Sequence, residues 1–244
     1  MFDWYIQRWR RVLPEVVRGA GRALPVVFGY LPVGFAYGVL ASQAGLTLLE
    51  AVLMSVFVYA GSAQLIAAGL IAAGANTATI TATTFLVNLR HMLMSAALAP
   101  YLGHLSRPFL SWFAFEITDE SFAVHTSVFA KDGVPGKVEL LTINLVPQLA
   151  WIASSFFGAW TGTLLADTKA LALDYALPAM FIALLMMQIV NRLQVVIAVL
   201  AASASVFFYL FLSSNWNVIL ATVIAATIGV FCERWMDKFS PSSF

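Results

Sequence analysis

Eight apolar stretches, at about 24–43, 49–73, 78–100, 108–130, 138–165, 171–190, 193–212 and 215–233, fill most of this chain, with only short gaps between them. A helix that crosses a bilayer needs roughly 20 mainly apolar residues, and most of the stretches reach that length. Only 10% of the residues are charged, against about 25% in an ordinary soluble domain, so a soluble enzyme is excluded. A transmembrane barrel would alternate apolar and polar positions in short segments, whereas these stretches are continuous. The expectation is an all-α polytopic membrane protein of about eight transmembrane helices. Residues 23–235 would form one transmembrane domain, between a basic segment at 1–22 and a short cytoplasmic tail at 236–244.

Lysine and arginine collect in cytoplasmic loops. With eight spans and the N-terminus inside, the inner side receives Arg8, Arg10, Arg11, Arg18, Arg22, Lys131, Lys137, Arg192, Arg234 and Lys238, and the outer side only Arg107 and Lys169. Both termini are thus expected in the cytoplasm. Within 2–22, Tyr5, Trp9, Val12 and Val16 share a helical stripe away from Arg8, Arg11 and Arg18, as in a helix lying on the inner leaflet. A partly ordered basic tail fits the same residues. The second-to-third and sixth-to-seventh connections are short enough that either pair is also compatible with a re-entrant hairpin. The single cysteine, Cys232, excludes an internal disulfide.

Ionisable residues at membrane depth carry the strongest functional signal. Arg90 and His91 fall near the centre of the third stretch, and Glu116, Asp119 and Glu120 near the centre of the fourth. Each charge costs at least about 2.5–3.5 kcal/mol there even on insertion scales, so such groups face an interior or a wet cavity. The i, i+3, i+4 spacing of the three acids predicts one shared helical face. One arginine cannot neutralise three carboxyls, so at least one acid is expected to be protonated part of the time, as a proton-coupled cycle requires. Arg90 is expected to contact one of them, with Asp119 and Glu120 the first candidates.

Further polar and backbone features follow. Thr77, Thr81, Thr84, Asn88, His91 and Ser95 line one face of the third stretch, as pathway lining or as helix glue bonded to its own backbone. Pro32, Gly34 and Gly38 predict a broken first helix whose free N–H groups receive an anion, and Pro178 suggests the same in the sixth stretch. Gly61, Ser62 and Gln64 offer close helix approach and ligand hydrogen bonds in the second. Leu31–Phe35 resembles Leu177–Phe181, and Ala60–Gln64 resembles Ala201–Ser205, as in an inverted repeat with broken helices and a site at the midplane.

The context of Ser62 lacks the second glycine of a rhomboid-like Gly-x-Ser-Gly, and the paired aspartates of a presenilin-like protease are missing, so no enzyme is expected. His91, His104 and His125 show no i, i+4 pairing, so no metal is expected; nor is a cofactor or a nucleic-acid partner.

Leu31–Pro32–Val33–Gly34–Phe35 with Gly38, Tyr59–Ala60–Gly61–Ser62–Ala63–Gln64, Asn88–Leu89–Arg90–His91, Thr118–Asp119–Glu120 and Asp174–Tyr175–Ala176–Leu177–Pro178–Ala179 occur in this order. Together they resemble the AzlC family, the large subunit of branched-chain amino-acid exporters, over roughly residues 15–235. The resemblance implies a bacterial inner-membrane exporter of leucine, isoleucine, valine and often methionine, working with a small AzlD-type membrane subunit. The residues fit such a zwitterion. Arg90 or helix N-termini, with Pro32, Gly34, Gly38, Gly61, Ser62, Gln64, Asn88 and Pro178, would bind substrate. Glu116, Asp119 and Glu120 would bind its ammonium group or, with His91, carry protons. A small-solute channel and a substrate-capture subunit without transport remain alternative readings.

Overall fold

The structure, a computed structural model, describes residues 2–164, 182, 185–186, 189, 192–211 and 216–239. Every regular element among them is a helix. The described residues up to 164 belong to one compact unit and those from 182 to a second. The first holds α1 (Phe2–Gln43), α2 (Leu48–Phe57), α3 (Gly61–Ala72), α4 (Thr77–Leu102), α5 (Arg107–Phe115), α6 (Asp119–Asp132) and α7 (Lys137–Gly162). The second holds α8 (Arg192–Phe211) and α9 (Trp216–Phe239), which pack on each other with Ile197 over Gly229. Among the described residues, three helices are long and apolar enough to cross a membrane: α1 over Val12–Gln43, α7 and α8.

The frame of the first unit is α1 against α7. Gly19 abuts Thr142, Gly34 abuts Ser154, Gly38 abuts Ser155 and Ala159, and Gly162 abuts Ser42. Residue numbers rise together along this seam, so the two helices run parallel. A Cβ at Gly38 or Gly158 would collide with backbone of the opposite helix, Ser155 O and Phe35 O respectively. Small residues of this kind let membrane helices approach closely and exchange van der Waals contact. On α7 the seam continues as Trp151, Ser154, Ser155, Gly158, Ala159 and Gly162, all buried at three- and four-residue spacing.

This seam corrects the expected break in the first stretch. Helix α1 is continuous through Pro14, Pro25 and Pro32, and residues 2–22 belong to the same helix as 23–43. Pro25 and Pro32 lie on its exposed side, with Leu24, Phe28 and Leu31. The hydrogen bonds they remove are therefore lost on the face turned away from α7, and packing on α7 holds the helix together.

The breaks lie elsewhere. The 49–73 stretch is interrupted at Val58–Ala60, where Tyr59 has φ 38°, and the 108–130 stretch at Glu116–Thr118. Each is a pair of short helices that turns back on itself. In the first, Gln64 Nε2 donates to Ser55 Oγ at 3.1 Å, and Ile71 lines the same cleft as Gly45, Leu46 and Glu50. In the second, the rings of Phe113 and His125 are 4.9 Å apart, and Lys137 Nζ lies 5.9 Å from the ring centre of Phe109. Twelve residues of straight helix would separate Phe113 from His125 by about 18 Å. Two of the eight expected stretches are thus hairpins of two short helices rather than single helices, here H1 (α2–α3) and H2 (α5–α6).

They enter from opposite ends. H1 opens where α1 ends at Gln43, since Tyr37 OH donates to Ala51 O at 3.2 Å. H2 opens at the Arg22 end, where Arg22 Nη2 lies 2.5 Å from Asp132 Oδ2 and Arg22 Nη1 lies 2.6 Å from Glu139 Oε1. Helix α4 connects the two ends, with Tyr101 and Phe129 rings 5.5 Å apart at the Arg22 end. A long helix followed by a hairpin (α1 with H1) therefore recurs inverted (α4 with H2). Of the two matches behind the expected repeat, Leu177–Phe181 lies outside the described residues, and Ala201–Ser205 lies inside the continuous helix α8, whereas Ala60–Gln64 begins α3. Hydropathy alone hid the hairpins because an apolar run reads the same whether it crosses or returns.

Candidate functional site

The tips of H1 and H2 meet in the interior, and two side chains touch both. Tyr30 of α1 donates to Thr118 Oγ1 at 2.8 Å or Glu120 Oε2 at 2.7 Å on the H2 tip. Its ring meets Tyr59 of the H1 tip edge-on at 6.4 Å. Arg90 of α4 pairs through Nη1 with Asp119 Oδ2 at 2.7 Å and donates through Nη2 to Ser62 Oγ. The expected contact of Arg90 with one of the acids is present, and it joins H2 to H1.

Local sequence explains each tip. Thr118 caps α6, its hydroxyl accepting from Ser121 N while Ser121 Oγ accepts from Thr118 N. This places Asp119 and Glu120 in the first turn, where carboxylates favour the positive end of the helix dipole. Helix α3 starts at Ala60, which has no side chain to cap it, so its first N–H groups stay available at the tip. Gly61 is needed because the Trp151 ring lies on it, 2.8 Å from where a Cβ would sit.

The expected shared face of the acids is not what forms. Glu116 ends α5 while Asp119 and Glu120 begin α6, so a turn rather than a helical face brings them together. Their partners differ. Asp119 holds Arg90, Glu120 accepts from Tyr30, and Glu116, 2% exposed, keeps Oε2 without a partner. Tyr59 OH and Arg90 Nε at this junction are likewise without a hydrogen-bond partner, and so is Asn88 Oδ1, two residues before Arg90 on α4. Buried polar groups nearly always find a partner. Open donors on Tyr59 and Arg90 beside an open carboxylate oxygen on Glu116 suit a polar ligand with charges of both signs.

Other candidates have structural surroundings. Gln64 uses both ends of its amide, donating to Ser55 and accepting from Trp151 Nε1 at 3.0 Å, so it fastens H1 to α7. Gly34 and Gly38 face α7, and Pro32 faces outward. With no break in α1, none of the three presents free N–H groups. On α4, Thr84 bonds its own backbone, Oγ1 to Ile80 O at 2.8 Å, and His91 is half-buried beside Arg90. Pro178 lies outside the described residues. Tyr30 and Trp151 escaped sequence reading because single aromatics in apolar runs look like packing; the polar end of Tyr30 at mid-helix was the one available signal.

Paired hairpins with uncapped or charged helix starts resemble the broken helices of membrane transport proteins. The chain belongs to the AzlC protein family, whose model matches residues 25–165. It is 30% identical to the inner membrane protein YgaZ of Escherichia coli over 70% of this chain and 71% of that one. It is 32% identical to an uncharacterized membrane protein of Archaeoglobus fulgidus over 84% and 90%. It is 25% identical to the branched-chain amino acid transport protein AzlC of Bacillus subtilis over 68% and 64%. No solved structure matches the chain.

Proposed function

We propose that this protein exports branched-chain amino acids across the inner membrane, coupled to protons and working with a small AzlD-type subunit. The observation that carries the reading is the set of unpaired buried atoms where the hairpin tips meet Arg90 and Tyr30. A substrate carboxylate is received by Arg90 Nε and the open N–H groups of α3, and the ammonium group by Glu116. Tyr30, Tyr59 and Trp151 supply an apolar wall for the side chain. The relative named for branched-chain amino acid transport supports the substrate class.

Orientation follows from the hairpins. Arg107 begins α5 at the Arg22 end, not on the opposite side as an eight-span count requires. In residues 1–164, eight of the nine lysines and arginines then gather at that end, and Arg90 is the ninth. The loops at the Gln43 end, 44–47 and 73–76, have none. By the positive-inside rule this distribution supports a cytoplasmic Arg22 end.

Counterflow of labelled leucine in proteoliposomes, with and without a pH gradient and the small subunit, tests the proposal. Saturable leucine exchange accelerated by the gradient is expected. Unsaturable flux would indicate a channel, and no flux in any arrangement a capture subunit.

A further inference from the structure

One buried polar pair in the first unit takes no part in the tip site. His125 of α6 and Asn144 of α7 are both 0% exposed, with His125 Nε2 and Asn144 Oδ1 at 2.8 Å. Phe113 and Phe129 flank the imidazole at 4.9 and 5.7 Å. His125 Nδ1 and Asn144 Nδ2 have no partner. Exchanging the amide atoms or the tautomer changes which atom donates but still leaves one ring nitrogen and one amide atom open. An unsatisfied polar atom in a dry interior is costly, so two open atoms in one buried pair call for a further partner.

Its position suggests a use. His125 lies on α6 between Glu120 at the H2 tip and Asp132 at the Arg22 end, and the Phe113 ring on it precedes Glu116 by less than a turn. Asn144 lies on α7 just beyond Glu139, which Arg18 and Arg22 hold at 3.1 and 2.6 Å. The charged groups on the elements around the pair include Glu15, Arg18 and Arg22 of α1, Arg90 of α4, Arg107 of α5 and Glu116 after it, Asp119, Glu120, Lys131 and Asp132 of α6, and Lys137 and Glu139 of α7. No carboxylate among the described residues lies within ion-pair distance of the ring.

We propose that His125, steadied by Asn144, is a proton-relay site between the Arg22 end and the carboxylates at the H2 tip. The open ring nitrogen accepts a proton released from Glu116 and passes the same proton on towards the Arg22 end, while Nε2 stays on Asn144, so the ring ends as it began. This inference rests on the proton-coupled reading above.

The test separates the two. Leucine counterflow needs a working site but no net proton movement, whereas gradient-driven leucine flux needs both. In proteoliposomes, His125→Gln should keep counterflow close to the unsubstituted protein and lose gradient-driven flux by at least about tenfold. Asn144→Ser, which keeps a polar neighbour, should retain both. If His125→Gln does not fold, Asn144→Leu, which removes that neighbour, should show the selective loss. Normal gradient-driven flux in His125→Gln overturns the relay, and so does equal loss of both fluxes in a folded variant. Absence of any gradient effect in the unsubstituted protein overturns the proton-coupled reading, and the relay with it.

Discussion

Arg90 and Asp119 face each other at 2.7 Å, and because Arg90 also donates to Ser62, this one ion pair fastens α4 to the tips of two hairpins that enter from opposite ends. Removing one partner of a buried pair leaves the other uncompensated, at about 3–5 kcal/mol. Here both side chains are partly exposed, 30% and 19%, so the cost falls towards the lower end. Arg90→Ala should reduce thermal stability and yield in detergent. Arg90→Ala combined with Asp119→Asn should regain stability but not leucine counterflow, because the carboxylate receptor is still missing.

Tyr59 separates function from stability. Its hydroxyl is buried and unpaired, a state that costs about 1–3 kcal/mol. Tyr59→Phe should therefore leave the melting temperature equal or higher while weakening leucine counterflow. A variant that melts lower and transports normally would show that the hydroxyl is structural.

Glycines of α1 divide sharply. At Gly38 a Cβ meets backbone of α7, while at Gly29 nothing lies within 4 Å. Gly38→Ala should destabilise the protein and lower its yield. Gly29→Ala should be neutral or stabilising, by up to about 1 kcal/mol from helix propensity. Melting curves of the two variants check this contrast.

Hairpin topology makes an accessibility prediction. In a Cys232→Ala background, cysteines at 107, 131 and 137 should label from one side of the membrane and cysteines at 45 and 76 from the other. Labelling of 107 from the side opposite 131 would restore a crossing helix over 108–130.

The charged residues of the site were legible because the bilayer makes charge expensive. Arg90 and the 116–120 acids stood out against their apolar surroundings, and the depth match between them anticipated the Arg90–Asp119 contact. The breaks were not legible in the same way. Pro32 drew attention to α1, yet a proline on the outer face of a helix fixed by a glycine seam does not interrupt it. Val58–Tyr59–Ala60 contains neither proline nor glycine, and the return of H1 depends on tertiary contacts of Tyr59 and Gln64. For H2 a local signal existed: Thr118 and Ser121 form a reciprocal cap, which marks a helix start at Asp119 within what reads as one apolar run. Recognising it would also have separated Glu116 from Asp119 and Glu120.

Substrate protection at the tip of H1 tests most directly whether the meeting of the two hairpins is the transport site. Ala60→Cys, in the Cys232→Ala background, places a thiol beside the uncapped start of α3. Leucine should slow its modification by a small permeant thiol reagent in proteoliposomes, with the concentration dependence of counterflow, and Glu116→Gln should weaken that protection. Full counterflow with no leucine protection at position 60 would contradict the assignment and place the substrate elsewhere.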